Sequence, residues 1–191
     1  GIHADFFVEK EELNKVLFSS WRELVRQSDY IASHAQASDC LSAVSEVVTP
    51  IPFALPVKDR GYLVSPHERF EFPQIIVSEV TQGVIYGGSN LVLAGDAVLC
   101  HDLYDFARDS TSEELHGRTL IDVKKRRIRW YQHDELPEAV PCAAAFTDAT
   151  APNYAHWLTE VLPKIAMFCA ESKFKHVPLI VDAGLHRNLM E

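Results

Sequence analysis

The sequence has no Cys-x-x-Cys pair, and its four cysteines, Cys40, Cys100, Cys142 and Cys169, stand far apart along 191 residues. Disulfide frameworks and zinc ribbons need closely and regularly spaced cysteines, so neither organises this chain. Cys142 and Cys169 fall inside apolar stretches, where a free thiol behaves as a small hydrophobe, and this usage favours a reducing compartment. Long hydrophobic runs are also missing. Runs such as those near residues 143–146 and 177–181 fall far short of the ~18 to 20 residues that cross a bilayer. Residues 1–7 lack a basic stretch followed by an apolar one, so they do not read as a secretory signal, and the leading Gly1 reads as a trimmed start. Basic charge is scarce: 18 Lys and Arg against 27 Asp and Glu give a net charge of −9. Such a surface repels phosphate backbones over most directions, and nucleic acid is not an expected partner. With 47% hydrophobic and 24% charged residues, the composition is that of a globular protein rather than a disordered or collagenous one.

What is present divides into two parts, residues 1–56 and 57–191. In the first, Leu13, Val16, Leu17, Trp21, Leu24 and Val25 recur at i, i+3, i+4, with Glu9, Glu11 and Glu12 near the start. This spacing predicts an amphipathic helix over residues 8–37, broken near Ser28 and Asp29. A weaker helical piece around residues 41–47 leads into Pro50, Pro52 and Pro56, which fix an extended connector.

From Phe72 the texture becomes short apolar and β-branched runs at 74–80, 84–86, 90–93, 97–100, 119–123 and 128–131. Gln82-Gly83, Gly87-Gly88-Ser89-Asn90 and Ala94-Gly95-Asp96 separate them with hairpin chemistry, which predicts a strand meander. The basic run at 124–129 falls between two of these strands and reads as a solvated hairpin. The last part predicts a buried strand at 142–146, a helix at 152–169 and a second strand at 177–181. That succession is a βαβ unit with a parallel strand pair. Another helix begins at 185–191. A two-stranded parallel sheet leaves faces uncovered, so further βα units are expected, and the chain reads as truncated at residue 191.

The passage from Thr147 to Lys164 carries the best candidate site. Ligands of open α/β sheets bind beyond the carboxyl ends of the strands, and this loop occupies that position. Asn153 is placed to cap the helix, with His156 in its first turn and Glu160 one turn later on the same face. A carboxylate so placed orients an imidazole, or acts as a base itself. Gly87-Gly88-Ser89-Asn90 precedes a strand and lacks the Gly-x-x-x-x-Gly-Lys pattern, so it reads as a turn rather than a phosphate loop. His101 and Asp102, with Asp105 and His116, form a weaker candidate for a metal-dependent hydrolase.

The stretch from Val84 to Asp102, followed by Asn153-Tyr-Ala-His-Trp-Leu-Thr-Glu-Val-Leu-Pro-Lys164, resembles the glycosyltransferase family 61 domain, whose bacterial members act in capsular polysaccharide biosynthesis. The likeness covers roughly residues 74–184, with the histidine-bearing helix its specific part. It implies an α/β fold, the N-terminal part of a GT-B enzyme built from two Rossmann-like domains. It implies inverting transfer from a nucleotide sugar to a saccharide acceptor, without a metal cofactor. His156 and Glu160 become the catalytic candidates, and Asp148, Asn153, Tyr154 and Trp157 the substrate-binding ones. The family includes lumenal eukaryotic enzymes, but the absent disulfide pattern and signal favour the bacterial cytoplasm, with peripheral association at the inner membrane face left open. Length departs from the family, since GT-B enzymes bind most of the donor on their C-terminal domain; these residues alone are expected to be inactive. A non-catalytic saccharide- or protein-binding module is the alternative.

Overall fold

The computed structural model describes residues 19–34, 37–48, 69–106, 119–130 and 138–190. Its architecture is mixed α/β. The main sheet has six strands in the order β6-β7-β8-β1-β10-β9, with β1 at Arg22–Arg26, β6 at Val84–Ile85, β7 at Val92–Ala94, β8 at Ala97–Cys100, β9 at Thr119–Asp122 and β10 at Arg127–Trp130. The expected hairpins are present: β6 pairs antiparallel with β7, β7 with β8, and β9 with β10. The meander is interrupted, however. Strand β1 lies between β8 and β10, parallel to the first and antiparallel to the second.

This corrects the helix expected over residues 8–37. Among the described residues of that span only Gln27–His34 is helical (α1) and Arg22–Arg26 is a central strand; residues 8–18, 35 and 36 lie outside the described residues. Trp21, Leu24 and Val25 suit a helical stripe, yet the hydrogen-bonding edges of β8 and β10 are better satisfied by a strand between them. Leu24 is 2% exposed there, and its amide bonds the Arg126 carbonyl at 2.8 Å. The helical piece expected at 41–47 is likewise replaced by strands: β2 (Ser38–Ser42) pairs with β5 (Ile75–Ser78), and β3 (Ser45–Val48) with β4 (Arg69–Phe72). The Pro50 to Pro56 connector lies outside the described residues, so the boundary at residue 56 does too.

Strand β10 alternates as an amphipathic strand should: Ile128 and Trp130 point into the core while Arg127 and Arg129 lie over the Trp21 ring at 4.5 and 4.7 Å. The core of this sheet comprises Leu24, Leu91, Val98, Cys100, Tyr104, Ile128 and Trp130. Burying each aliphatic side chain in it contributes about 1.5–3 kcal/mol.

A second sheet holds β11 (Ala144–Ala145) and β12 (Leu179–Ile180), paired parallel with Ala144 opposite Leu179 and Ala145 opposite Ile180. Between them run α2 (Tyr154–His156), a π-helical stretch (Trp157–Val161) and α3 (Leu162–Ala170). The expected βαβ succession is present, with shorter strands than the apolar runs suggested. Helix α4 (Arg187–Met190) follows. Ala151, Trp157 and Val161 form the core here, with Phe146, Ile165, Val181, Leu185 and Leu189 packed against it.

Candidate active site at the carboxyl edge of the parallel pair

Three loops meet beyond the carboxyl ends of β11 and β12. The loop after β11 carries Thr147 and Asp148, the loop after β12 carries Asp182, and the β6–β7 hairpin brings Gly88 and Ser89. Asp182 is 7% exposed and joins all three. Its Oδ2 accepts the Asp148 amide at 2.7 Å and its Oδ1 accepts the Gly88 amide. Beside it the Thr147 hydroxyl donates to the Ser89 carbonyl at 2.7 Å. Gly88 sits at φ 71°, in the left-handed region that glycine adopts at little cost, and a Cβ there would meet open space. Gly87 approaches more closely, since its Cβ would lie 3.5 Å from Asp182 Oδ1.

From this junction the chain turns into the histidine-bearing helix by a series of local caps. The Asp148 carboxylate accepts from the Thr150 amide (2.9 Å) and hydroxyl (2.7 Å). The Asn153 amide then donates to the Thr150 carbonyl at 2.8 Å. Asn153 is the N-cap, its Oδ1 accepting the Ala155 amide at 3.0 Å, as the sequence predicts. One turn on, His156 Nδ1 and Glu160 Oε1 are 2.6 Å apart, with the two side chains 42% and 44% exposed. The imidazole is therefore neither entombed among aliphatic groups nor unsupported.

The helix is widened where this pair sits. Pro163 has no amide hydrogen for the Thr159 carbonyl four residues back, and its ring crowds that carbonyl. The turn relaxes accordingly, and the Leu162 amide bonds the Trp157 carbonyl five residues back. The Thr159 hydroxyl returns a bond to the Ala155 carbonyl at 2.8 Å. Such π turns occur frequently at functional sites.

The predicted site residues thus separate by role. His156 and Glu160 are in contact, Asn153 is the cap, and Tyr154 is 61% exposed on the first turn. Asp148 is 4% exposed and engaged with Thr150, which leaves it a positioning part. Trp157 departs from the expectation of a substrate-facing wall: at 6% exposure it belongs to the core with Ala151 and Val161. Sequence reasoning missed Asp182. A signal existed, because each parallel strand is followed by an aspartate, Asp148 and Asp182, at its carboxyl end.

The competing metal arrangement fares differently. The Asp102 carboxylate accepts the Ser28 amide at 2.9 Å, capping the start of α1, and the His101 ring lies edge-on to Tyr104 at 6.1 Å. Among the described residues no group of three or more His, Cys, Asp or Glu side chains is gathered to hold a metal ion; His116 lies outside them. No described helix is long and apolar enough to cross a membrane.

No family model, no curated protein and no solved structure matches this chain.

Proposed function

We propose that the chain forms the acceptor-side part of an inverting, nucleotide-sugar-dependent glycosyltransferase of the GT-B type, working in surface or capsular polysaccharide synthesis. The observation that carries this reading is the His156–Glu160 contact, half-exposed at the carboxyl edge of a parallel strand pair. The motif around it, from Asn153 to Lys164, supplies the family likeness on which the donor and acceptor classes rest.

The chemistry follows from the contact. With Nδ1–H donated to the Glu160 carboxylate, the imidazole is held in the tautomer whose Nε2 lone pair is basic. An acceptor hydroxyl attacking the anomeric carbon loses its proton to Nε2 as the nucleoside diphosphate leaves from the opposite face. Glu160 stabilises the imidazolium so formed, as carboxylates do in other nucleophile-activating pairs. Departure of a diphosphate also requires donors or cations on the far side of the cleft.

The test is nucleoside diphosphate release from a panel of nucleotide sugars in the presence of saccharide acceptors, measured on the full-length protein. Release that disappears in His156→Ala supports the reading. Turnover that persists in that variant, or acceptor binding with no turnover under any donor, overturns it and favours a binding module.

A further inference from the structure

The two small antiparallel sheets are halves of one ribbon. Ser42 pairs with Ile75 and Ser45 with Phe72 in the same register, so only the step opposite Pro73 separates β2–β5 from β3–β4. Proline has no amide hydrogen to give the ladder, which accounts for the gap. The half made by β3 and β4 has no covering layer among the described residues. Ser45, Glu46, Val47 and Val48 are all exposed, as are Arg69, Glu71 and Phe72, and no third strand pairs with either edge. Residues 49–68, which join the two strands, lie outside the described residues. A sheet of two strands is at best marginally stable in water, and this one exposes Val47, Val48 and Phe72.

Its charges are also incompletely matched. The register sets Glu46 opposite Glu71, and residues two apart share a face, so Glu46, Arg69 and Glu71 stand together. Arg69 donates from Nη1 to Glu46 Oε1 at 3.0 Å. Glu71 is left opposite a like charge, an unfavourable cross-strand neighbour, with no cation paired to it among the described residues.

We propose that the free edge of β4 pairs antiparallel with the same edge of a second copy, about a two-fold axis at Phe70. Residue 69 of each chain then faces residue 71 of the other, so each Arg69 meets the partner's Glu71. Arg69 lies between its own Glu46 and that carboxylate, and its five N–H donors suffice for both. Charge selects this register over its neighbours. An axis between Phe70 and Glu71 sets Glu71 opposite Phe70 and leaves it unmatched. Pairing through β3 about Glu46 sets two carboxylates face to face, and about Val47 it offers no opposite charge. Strand β3 against β4 of another copy is a heterologous contact, which does not close about a two-fold axis. The paired edges give a four-stranded sheet, β3-β4-β4-β3, enough strands to hold together where two are marginal. Val47 and Phe72 of both copies share the face opposite the charges. Residues 69–71 of each edge are matched, a small interface of the weak, reversible class.

The experiment is sedimentation equilibrium of the whole chain from ~1 to ~500 μM, where a monomer–dimer equilibrium is expected with a Kd on the order of 10–100 μM. Arg69→Glu and Glu71→Arg each turn both interchain pairs into like-charge pairs. Each variant alone is expected to dimerise about tenfold more weakly, or worse. Mixed in equal amounts, the two restore opposite charge at both pairs, and the heterodimer is expected to form within a few-fold of the unaltered affinity. That recovery also shows that neither substitution had merely unfolded its chain. A protein that stays monomeric throughout the range, as it does if its own residues cover the edge, overturns the proposal. So does a dimer that either single variant leaves intact, or a mixture that associates no better than its components.

Discussion

The carboxylate of Asp182 accepts the amide hydrogen of Asp148 at 2.7 Å, bridging the ends of two parallel strands. Its second oxygen holds the Gly88 amide, so one buried group ties the six-stranded sheet to the unit that carries His156. Removing it leaves the buried Asp148 amide without that partner, while the amide of the exposed Gly88 can turn to water. Asp182→Ala is expected to lower unfolding free energy by about 1–3 kcal/mol. Asp182→Asn keeps one acceptor but turns an NH₂ toward an amide donor, and is expected to lose about half as much. Urea denaturation reads both. A loss under ~1 kcal/mol for the alanine variant would mean that the three loops hold together without the carboxylate.

Cys100 is buried on β8, its thiol pointing at the Val25 carbonyl 3.3 Å away. Burial is the main cause that pushes its pKa up from 9.0 to about 12; Arg26 opposes the rise and Asp102 adds to it. The folded chain therefore keeps this proton where the unfolded chain has lost it. Stability is unaffected below pH 9 and falls as pH rises from 9 toward 12, by up to ~1.4 kcal/mol per pH unit. Denaturation midpoints at pH 8, 9.5 and 10.5 test the sign. With Ellman's reagent at pH 8, the exposed Cys40, Cys142 and Cys169 are expected to react in the native protein, and Cys100 only after unfolding.

Hairpin chemistry was the most legible part of the sequence. Gly95, at φ 59°, and the Gly87-Gly88 turn both join strands where turn residues predict them, because those conformations are set by a few local residues. The strand at Arg22–Arg26 was not legible. Its apolar residues fit either period, and what decides is a slot between β8 and β10, whose paired residues are 74 to 106 positions away in sequence. The same holds for the candidate site. Asn153 and the His156–Glu160 spacing are local and were readable, whereas Asp182 enters through a contact that spans 34 residues to Asp148 and 94 to Gly88. For Trp157 the helical spacing pointed to the core and only the family likeness to a site wall; its burial follows the spacing, since the same helix must also supply its own core.

Pro163 is expected to cause the π turn rather than tolerate it. Pro163→Ala restores an amide able to bond the Thr159 carbonyl, so residues 157–161 should adopt α-type bonding and the Leu162 amide should leave the Trp157 carbonyl. Backbone chemical shifts across 155–165 and the His156 ring resonances would record the change. Unchanged shifts at Trp157 and Leu162 would assign the widened turn to the packing of Trp157 and Val161 instead.

Stability and chemistry should separate at the His156–Glu160 pair. Both side chains are more than two-fifths exposed, and ion pairs of that kind contribute only ~0–1 kcal/mol, so His156→Ala and Glu160→Gln are expected to unfold near the unaltered protein. Turnover responds differently under the proposed mechanism. Loss of a general base lowers kcat by roughly 10²–10⁴-fold, and His156→Ala is expected within that range. Glu160→Gln retains a hydrogen-bond acceptor but removes the charge that stabilises the imidazolium, so its kcat should fall less, by roughly 10–100-fold, with KM for the donor little changed. The double variant decides whether the two act as one unit. Effects that fail to multiply, leaving the double variant no slower than His156→Ala, are expected if Glu160 works only through the imidazole; a further drop would give the carboxylate a separate task, such as holding an acceptor hydroxyl.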